Sequence, residues 1–168
     1  MRAVIQRVKS ASVTVEGKVV SQIGRGLVVL VGICSEDTFD DVDKLASTVL
    51  KLRLFESDDG SKMWQKSVTD LPKGQLLSVS QFTLYGNIKK GSKPDFHRAA
   101  KGHIALELYQ QFLEKLKNGM KHVEEPETSV QDGVFGAMMD VALVNDGPVT
   151  INYDTKNPKD RQIENIQN

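Results

Sequence analysis

Four hydroxyl or amide side chains, Ser78, Ser80, Gln81 and Thr83, fall within six residues of the stretch Leu76-Leu77-Ser78-Val79-Ser80-Gln81-Phe82-Thr83-Leu84-Tyr85-Gly86. The stretch begins as a buried strand behind Pro72-Lys73-Gly74. Each polar group inside such a strand costs free energy unless it finds a partner. The cluster is therefore either a hydrogen-bonded structural network or the floor of a polar site. As a site it would orient and bind more than attack: Thr83 is its one plausible side-chain nucleophile, and no base sits beside it in sequence. A second polar segment, Asn145-Asp146-Gly147-Pro148-Val149-Thr150, stands near the far end of the chain and bears on that choice.

The familiar catalytic and ligand motifs are missing. Ser80 is preceded by Ser78-Val79 and followed by Gln81-Phe82, so there is no G-x-S-x-G elbow. His97 and His103 are six residues apart and point to different sides of the helix predicted for them, which precludes a two-histidine metal face. Gly24-Arg25-Gly26 has Val29 where a dinucleotide loop needs its third glycine, and it leads into a strand. Gly86–Pro94 has the composition of a phosphate loop, but Ser92 precedes Lys93 where that motif needs lysine first. Asp58-Asp59-Gly60 lacks the later ligands of a calcium loop. The acidic run Glu36, Asp37, Asp40, Asp41 and Asp43 reads as a solvated helix start. No metal and no cofactor is expected. An enzyme built on this sequence works through backbone groups or borrows a reactive group from its substrate.

Composition narrows the class further. The chain has 168 residues, 39% hydrophobic and 26% charged, which suits one domain with a substantial core. With 22 basic and 22 acidic residues the net charge is zero, which argues against binding nucleic acid by bulk charge alone. A local basic patch is still available. Lys89, Lys90, Lys93, Arg98 and Lys101 stand against Asp95 alone and make the best candidate contact to a phosphate backbone. One cysteine, Cys34, rules out an internal disulfide and suits a reducing cytosol. No apolar run is long enough to span a membrane, and the chain enters a strand at once with no signal sequence, so a cytoplasmic location is expected.

The elements that position these residues follow from periodicity. Val4, Gln6 and Val8 alternate, Val13–Val15 resume after Ser10-Ala11-Ser12, and Glu16-Gly17 turns the chain into Lys18–Ile23. Leu27–Ile33 is an almost wholly apolar run, the mark of a strand buried on both faces. This predicts an antiparallel opening of four short strands. Phe39, Val42, Leu45, Ala46, Val49 and Leu50 then recur at helical spacing behind a Thr38-x-x-Asp41 capping box. Leu52–Phe55 reads as a strand, and Trp64 as a packing anchor in preference to a stacking platform. A long helix is predicted from Phe96 to Leu116, stopped by Asn118-Gly119, followed by a strand at Met120–Val123. Phe135–Val144 and Val149–Tyr153 read as a final strand pair flanking Asp146-Gly147-Pro148, and the tail from Asp154 is polar and without apolar periodicity.

Several segments resemble the D-aminoacyl-tRNA deacylases of the D-tyrosyl-tRNA deacylase family. The opening Met1-Arg2-Ala3-Val4-Ile5-Gln6-Arg7-Val8 is similar to the family's. Ser80-Gln81-Phe82-Thr83 and Asn145-Asp146-Gly147-Pro148-Val149-Thr150 match its two signature motifs. Lys93-Pro94-x-Phe96-x-x-Ala99-Ala100 and Gly133-Val134-Phe135-Gly136-Ala137-Met138-Met139 are similar too, in the expected order. The resemblance implies a mixed α/β fold in a single compact domain, with largely antiparallel sheets forming a partial barrel and two main helices. It implies a deacylase domain over residues 1–153 and leaves 154–168 as a polar C-terminal tail.

What the resemblance implies about function is hydrolysis of the ester joining a D-amino acid to the 3′-terminal ribose of tRNA, as quality control in translation. It implies a homodimer with a cross-subunit active site, in which a cis Gly147-Pro148 peptide reaches into the other subunit's pocket as a chiral gate. A Gly-Pro turn between strands is the reading that composition alone leaves open, since X-Pro bonds are cis only about one time in twenty. The catalytic set carried over is Ser80, Gln81, Phe82 and Thr83, with Arg7 supporting the gate and Phe135, Ala137 and Met138 in the pocket. Lys89, Lys90, Lys93 and Arg98 are the expected tRNA contacts. Backbone N–H groups near Gln81–Thr83 would bind the developing oxyanion, the terminal ribose 2′-hydroxyl would help activate water, and Thr83 would position. A non-catalytic, dimeric nucleic-acid-binding module built on Lys89–Lys101 is the rival reading.

Overall fold

The computed structural model describes residues 1–88 and 92–157 of the chain. Lys89 and Lys90 of the basic loop, and residues 158–168 of the predicted tail, lie outside the described residues.

One strand organises the sheet. β1 (Arg2–Val15) is continuous where the pattern predicts two strands. Ser10-Ala11-Ser12 does not break it, because Ala11 pairs with Ile23 on one edge and Leu143 on the other and is itself buried. Along one edge β1 pairs antiparallel with β3 (Gly26–Gly32) through Arg2–Val8, then with β2 (Lys18–Ile23) through Ala11–Val15. Its other edge is taken over nearly its whole length by β6 (Asp140–Asp154). β4 (Gln75–Ser80) and β5 (Val130–Asp132) add in parallel on the far side of β3, giving six strands in a mixed, barrel-like sheet.

Two helices cover one face. α1 (Phe39–Lys51) starts at the predicted capping box, with the Thr38 N–H donating to Asp41 Oδ2 at 3.0 Å. Its face of Val42, Leu45, Ala46 and Val49 packs with Leu108, Phe112 and Leu116 of α2 (Gly102–Gly119) over Ala3, Ile5, Leu27, Val29 and Leu76 of the sheet. The concave side holds a smaller core of Val8, Val13, Ile23, Val28, Leu77 and Val79. Strand alternation produces the two layers: Leu76 faces the helices, while Leu77 and Val79 face inward.

Five local expectations are corrected. The helix predicted from Phe96 begins only at Gly102, because the preceding residues pair with the sheet end instead: Asn87 bridges Asp95, Cys34 bridges Ala99, and the Ala100 N–H donates to the Ile33 carbonyl. Ala99 and Ala100 thus matched a helical period while being buried for another reason. Met120–Val123 is not a strand; the Met120 N–H turns back onto the Leu116 and Lys117 carbonyls and caps α2. Leu52–Phe55 makes only an isolated bridge, Phe55 with Lys66, since the Leu54 carbonyl is claimed by the Arg7 guanidinium at 2.6 Å. The two final strands are one, and both halves pair with β1 instead of with each other. Trp64 anchors no core: it is 52% exposed.

The acidic helix start is also only partly solvated. Asp37 and Asp41 are buried. The Met1 ammonium donates to Asp37 Oδ1 at 2.7 Å and to Thr155 Oγ1 at 2.6 Å, and Thr155 Oγ1 donates to Asp41 Oδ1 at 2.6 Å. Burial by itself would raise the Asp41 pKa, but the hydrogen bonds from Lys156, Thr155 and the Thr38 backbone hold it well below the usual carboxylate range. This network carries the body past Tyr153, since Asp154 is still in β6 and Thr155 is buried.

Candidate active site

β4 delivers the polar segment to the end of the sheet. Ser78, completely buried on the helix-facing side, accepts a hydrogen bond from the Tyr109 hydroxyl of α2 at 3.1 Å. Burial pushes the Tyr109 phenol well above its usual pKa, so it remains a protonated donor. One of the four polar residues, Ser78, is therefore a satisfied structural contact. The other three open into a site. After Ser80 the Gln81 N–H donates to the Val31 carbonyl at 2.7 Å, and the chain turns into a short 3-10 segment, Phe82–Tyr85. Gly32 allows this turn to sit down on β3: a Cβ there would stand 2.9 Å from Leu84 Cβ and 3.1 Å from the Gln81 carbonyl oxygen.

Above this turn lies a cavity of about 660 Å³. Ser80, Gln81, Phe82 and Thr83 form its floor. Phe96, Lys101 and Ala105, before and within α2, make one wall, and Phe135, Ala137, Met138 and Met139 the other. Phe82 and Phe96 meet edge to face at 5.1 Å, and Phe135 leans on Tyr109 at 5.6 Å. Met139 folds its wall in place, its sulfur accepting the Val134 N–H at 3.3 Å. Within the floor Gln81 Nε2 donates to Thr83 Oγ1 at 2.6 Å, so the threonine hydroxyl is oriented by an amide and not by a base.

The Gln81 N–H, expected among the oxyanion donors, is committed to Val31. The donors that remain are the N–H groups of Phe82 and Thr83, which begin the 3-10 turn and so lack partners within it. A histidine–carboxylate pair does exist nearby, His97 Nδ1 with Asp95, but His97 is exposed and does not line the cavity. Its backbone and side-chain hydrogen bonds hold Asp95 below the usual carboxylate range. Lys93 and Arg98 are likewise exposed outside the lining, whereas Lys101, not assigned to the site from sequence, lines it.

The other signature lies elsewhere. Val8 pairs with Asn145 and Gln6 with Thr150, so the four residues Asp146–Val149 bulge out opposite Arg7 alone. The Gly147–Pro148 peptide is cis. Gly147 has φ +116°, and a Cβ there would stand 2.8 Å from Val149 Cγ2 and 3.1 Å from Arg7 Nη2, so only glycine fits. Arg7, 5% exposed, is the buttress. Its Nη1 donates to the Leu54 carbonyl, and Asp146 Oδ2 lies 3.0 Å from its Nε as an ion pair without hydrogen-bond alignment. Asn145 Nδ2 closes the base of the bulge, donating to the Arg7 and Val149 carbonyls at 2.9 and 3.1 Å.

The floor and the bulge do not meet within one chain. Neither Arg7 nor Gly147-Pro148 lines the cavity. Arg7 stands beside Leu27 on β3, whereas the cavity begins at Val31, four residues and roughly 13 Å along the strand. The resemblance quoted Phe96, Ala99, Ala100 and Met139, but no sequence signal gave them a wall position. Val31 and Ile33 read only as part of a buried strand, and Lys101 only as part of the basic patch.

Comparison with known proteins gives the family. The D-Tyr-tRNA(Tyr) deacylase family profile matches residues 4–154. A protein named D-aminoacyl-tRNA deacylase from Yarrowia lipolytica is 60% identical over 160 residues, covering 95% of this chain and all of that one. Among solved structures, one titled c-Myc DNA Unwinding Element Binding Protein superposes with TM-score 0.81 at 48% identity, over 92% of this chain and 98% of that one. A second, titled as a probable eukaryotic D-amino acid tRNA deacylase, shares the fold with TM-score 0.78 at 20% identity, over 91% and 98%. With its profile match spanning both signature motifs, the chain belongs to the D-Tyr-tRNA(Tyr) deacylase family.

Proposed function

We propose that this protein hydrolyses the ester between a D-amino acid and the 3′-terminal ribose of tRNA, and that it also accepts glycyl-tRNA. The observation that carries the reading is a cavity floor of oriented hydroxyl and amide groups with free backbone donors and no adjacent base. Such a floor suits an activated ester. Water adds to the ester carbonyl, the ribose 2′-hydroxyl relays its proton towards the departing 3′-oxygen, and the Phe82 and Thr83 N–H groups receive the oxyanion. The carbonyl–ribose C–O bond then breaks, releasing the free amino acid and a 3′-hydroxyl tRNA. One oxyanion donor of this kind is typically worth about 3 kcal/mol. Gln81 positions Thr83, and Thr83 positions the substrate.

Selectivity is assigned to the bulge of a second subunit. Gly147-Pro148 stands too far from its own cavity to act there, but β6 has an edge unpaired among the described residues and exposes Val141, Val144 and Ile151. A two-fold dimer through this region places each bulge in the partner's cavity. Rigid backbone atoms at the substrate α-carbon then reject an L side chain, while a D side chain points away and glycine has nothing to collide. The exposed Lys93 and Arg98 face the tRNA backbone in this reading, and Lys89 and Lys90, expected as contacts too, lie outside the described residues. Buried, free Cys34 fits the cytoplasm.

Side-by-side release of glycine, L-alanine and D-alanine from their tRNAs, without added metal or nucleotide, tests this. Glycine and D-alanine should be freed and L-alanine retained. Fast L-alanine release would remove the gate, and no release at all would remove the enzyme. The relative titled as a DNA unwinding element binding protein favours the rival, non-catalytic module. Under that reading the same assay shows no turnover, while nucleic acid is still retained.

A further inference from the structure

Trp64 is the only tryptophan in the chain and it is 52% exposed, with Met63 beside it 42% exposed. Its φ of +63° places a bulky residue in the left-handed region, a conformation that persists only where its surroundings impose it. The surroundings do so from both sides. The Gln65 and Lys66 N–H groups donate to the Phe55 carbonyl at 2.8 and 3.1 Å, and the Ser57 N–H donates to the Lys62 carbonyl at 2.8 Å. Gln65 Nε2 donates across the residue to the Met63 carbonyl at 3.0 Å. The loop is thus built to hold an indole out into solvent, where it makes no ring contact among the described residues.

The loop is tied to the gate. The Leu54 carbonyl, one residue before Phe55, is held by the same buried Arg7 guanidinium that stands against Gly147 and Asp146. The Trp64 tip is therefore tied, through Phe55 and Leu54, to the same buried guanidinium that holds the bulge, and it accompanies the bulge wherever that is seated. We infer that Trp64 is a stacking platform for an unpaired nucleobase of the tRNA 3′ end as it enters the partner subunit's cavity. The inference rests on the reading given under Proposed function. Ring and setting favour RNA over another protein surface. The neighbours Ser61, Lys62 and Gln65 are exposed and polar, whereas the centre of a protein interface needs a contiguous apolar patch. A base needs one aromatic face with a cation near it, and Lys62 makes no ion pair among the described residues.

Being the sole tryptophan, Trp64 reports on itself. Uncharged tRNA titrated into the intact protein should quench its emission saturably, and tRNA trimmed of its unpaired 3′ nucleotides should not. Trp64→Ala should raise KM about tenfold with kcat within about twofold, and Trp64→Phe should restore most of the loss. Unchanged emission at tRNA concentrations where a mobility shift shows complex would overturn the inference while leaving the deacylase reading intact. Equal quenching by trimmed tRNA would overturn it as well. So would dissociation of Trp64→Ala into monomers by sedimentation, which would assign the ring to the subunit interface. Binding of the 3′ end with quenching, but no release of D-amino acid from any substrate, would sustain the platform and sink the deacylase reading.

Discussion

The floor at Ser80–Thr83 and the bulge at Asp146–Val149 are held by opposite strategies. The floor is local: one strand ends, a backbone bond to Val31 turns the chain, and Gly32 lets the turn settle on β3. The bulge is assembled from afar, with Arg7, Leu54 and Asn145 converging on four residues that β1 leaves unpaired. The floor shapes its own chain's cavity, and the bulge does not line that cavity. If the floor carries the chemistry and the bulge the selectivity, as proposed, perturbing one should leave the other measurable.

The sharpest way to break this contrast is Gly147→Ala. Its φ of +116° and the 2.8 Å approach to Val149 Cγ2 force the bulge to move. The ratio of D- to L-aminoacyl-tRNA hydrolysis should fall by about a hundredfold, equivalent to the upper range of such backbone strain. An unchanged ratio would free the bulge of any part in selectivity. Arg7→Ala should act in the same direction but less, about tenfold in that ratio, with a lowered Tm because Asp146 and the Leu54 carbonyl lose their partner. If Tm falls and the ratio stays, Arg7 supports the fold alone.

On the floor, Thr83→Ala should leave kcat within about tenfold of wild type with the ratio unchanged if, as proposed, backbone donors and the substrate carry the reaction. Complete loss of turnover with substrate still bound would make Thr83 a nucleophile or proton carrier. Smallest is an effect of acid on the end of β6. Asp41 has a folded pKa below its ordinary value, so its contribution is present above about pH 4 and is lost as pH falls towards the depressed value. Asp41→Asn should flatten that acid limb in thermal melts and lower Tm slightly near neutrality. An identical acid limb in the variant would place the titration elsewhere.

What could be read from the sequence follows the same division. The floor segment, the α1 capping box, the hairpin turn at Glu16-Gly17 and the core stripes depend on neighbours within a few residues, and the pattern showed them. The parallel placement of β4 and β5 and the late start of α2 depend on pairings across the chain. Local periodicity therefore reported Ala99 and Ala100 as helical when bridging to Cys34 and Ile33 buries them. Trp64 was misread because an aromatic residue is ordinarily buried, and nothing in its neighbours encodes a left-handed φ. The candidate site split in the same way. Its floor was visible as a run of polar residues in an apolar strand, but its walls come from two distant loops that meet only in three dimensions.

The bulge on β6 has one more consequence. Both flanks of it are independently locked to β1, Ala142–Asn145 below and Thr150–Asp154 above, so the four residues between them work as a cassette. Their composition can change without shifting either flank's inward–outward alternation, whereas one residue more or fewer in a fully paired strand would invert every side chain beyond it. The bulge can therefore vary, within what Arg7 and Asn145 hold in place, while the paired parts of the barrel are inherited unaltered.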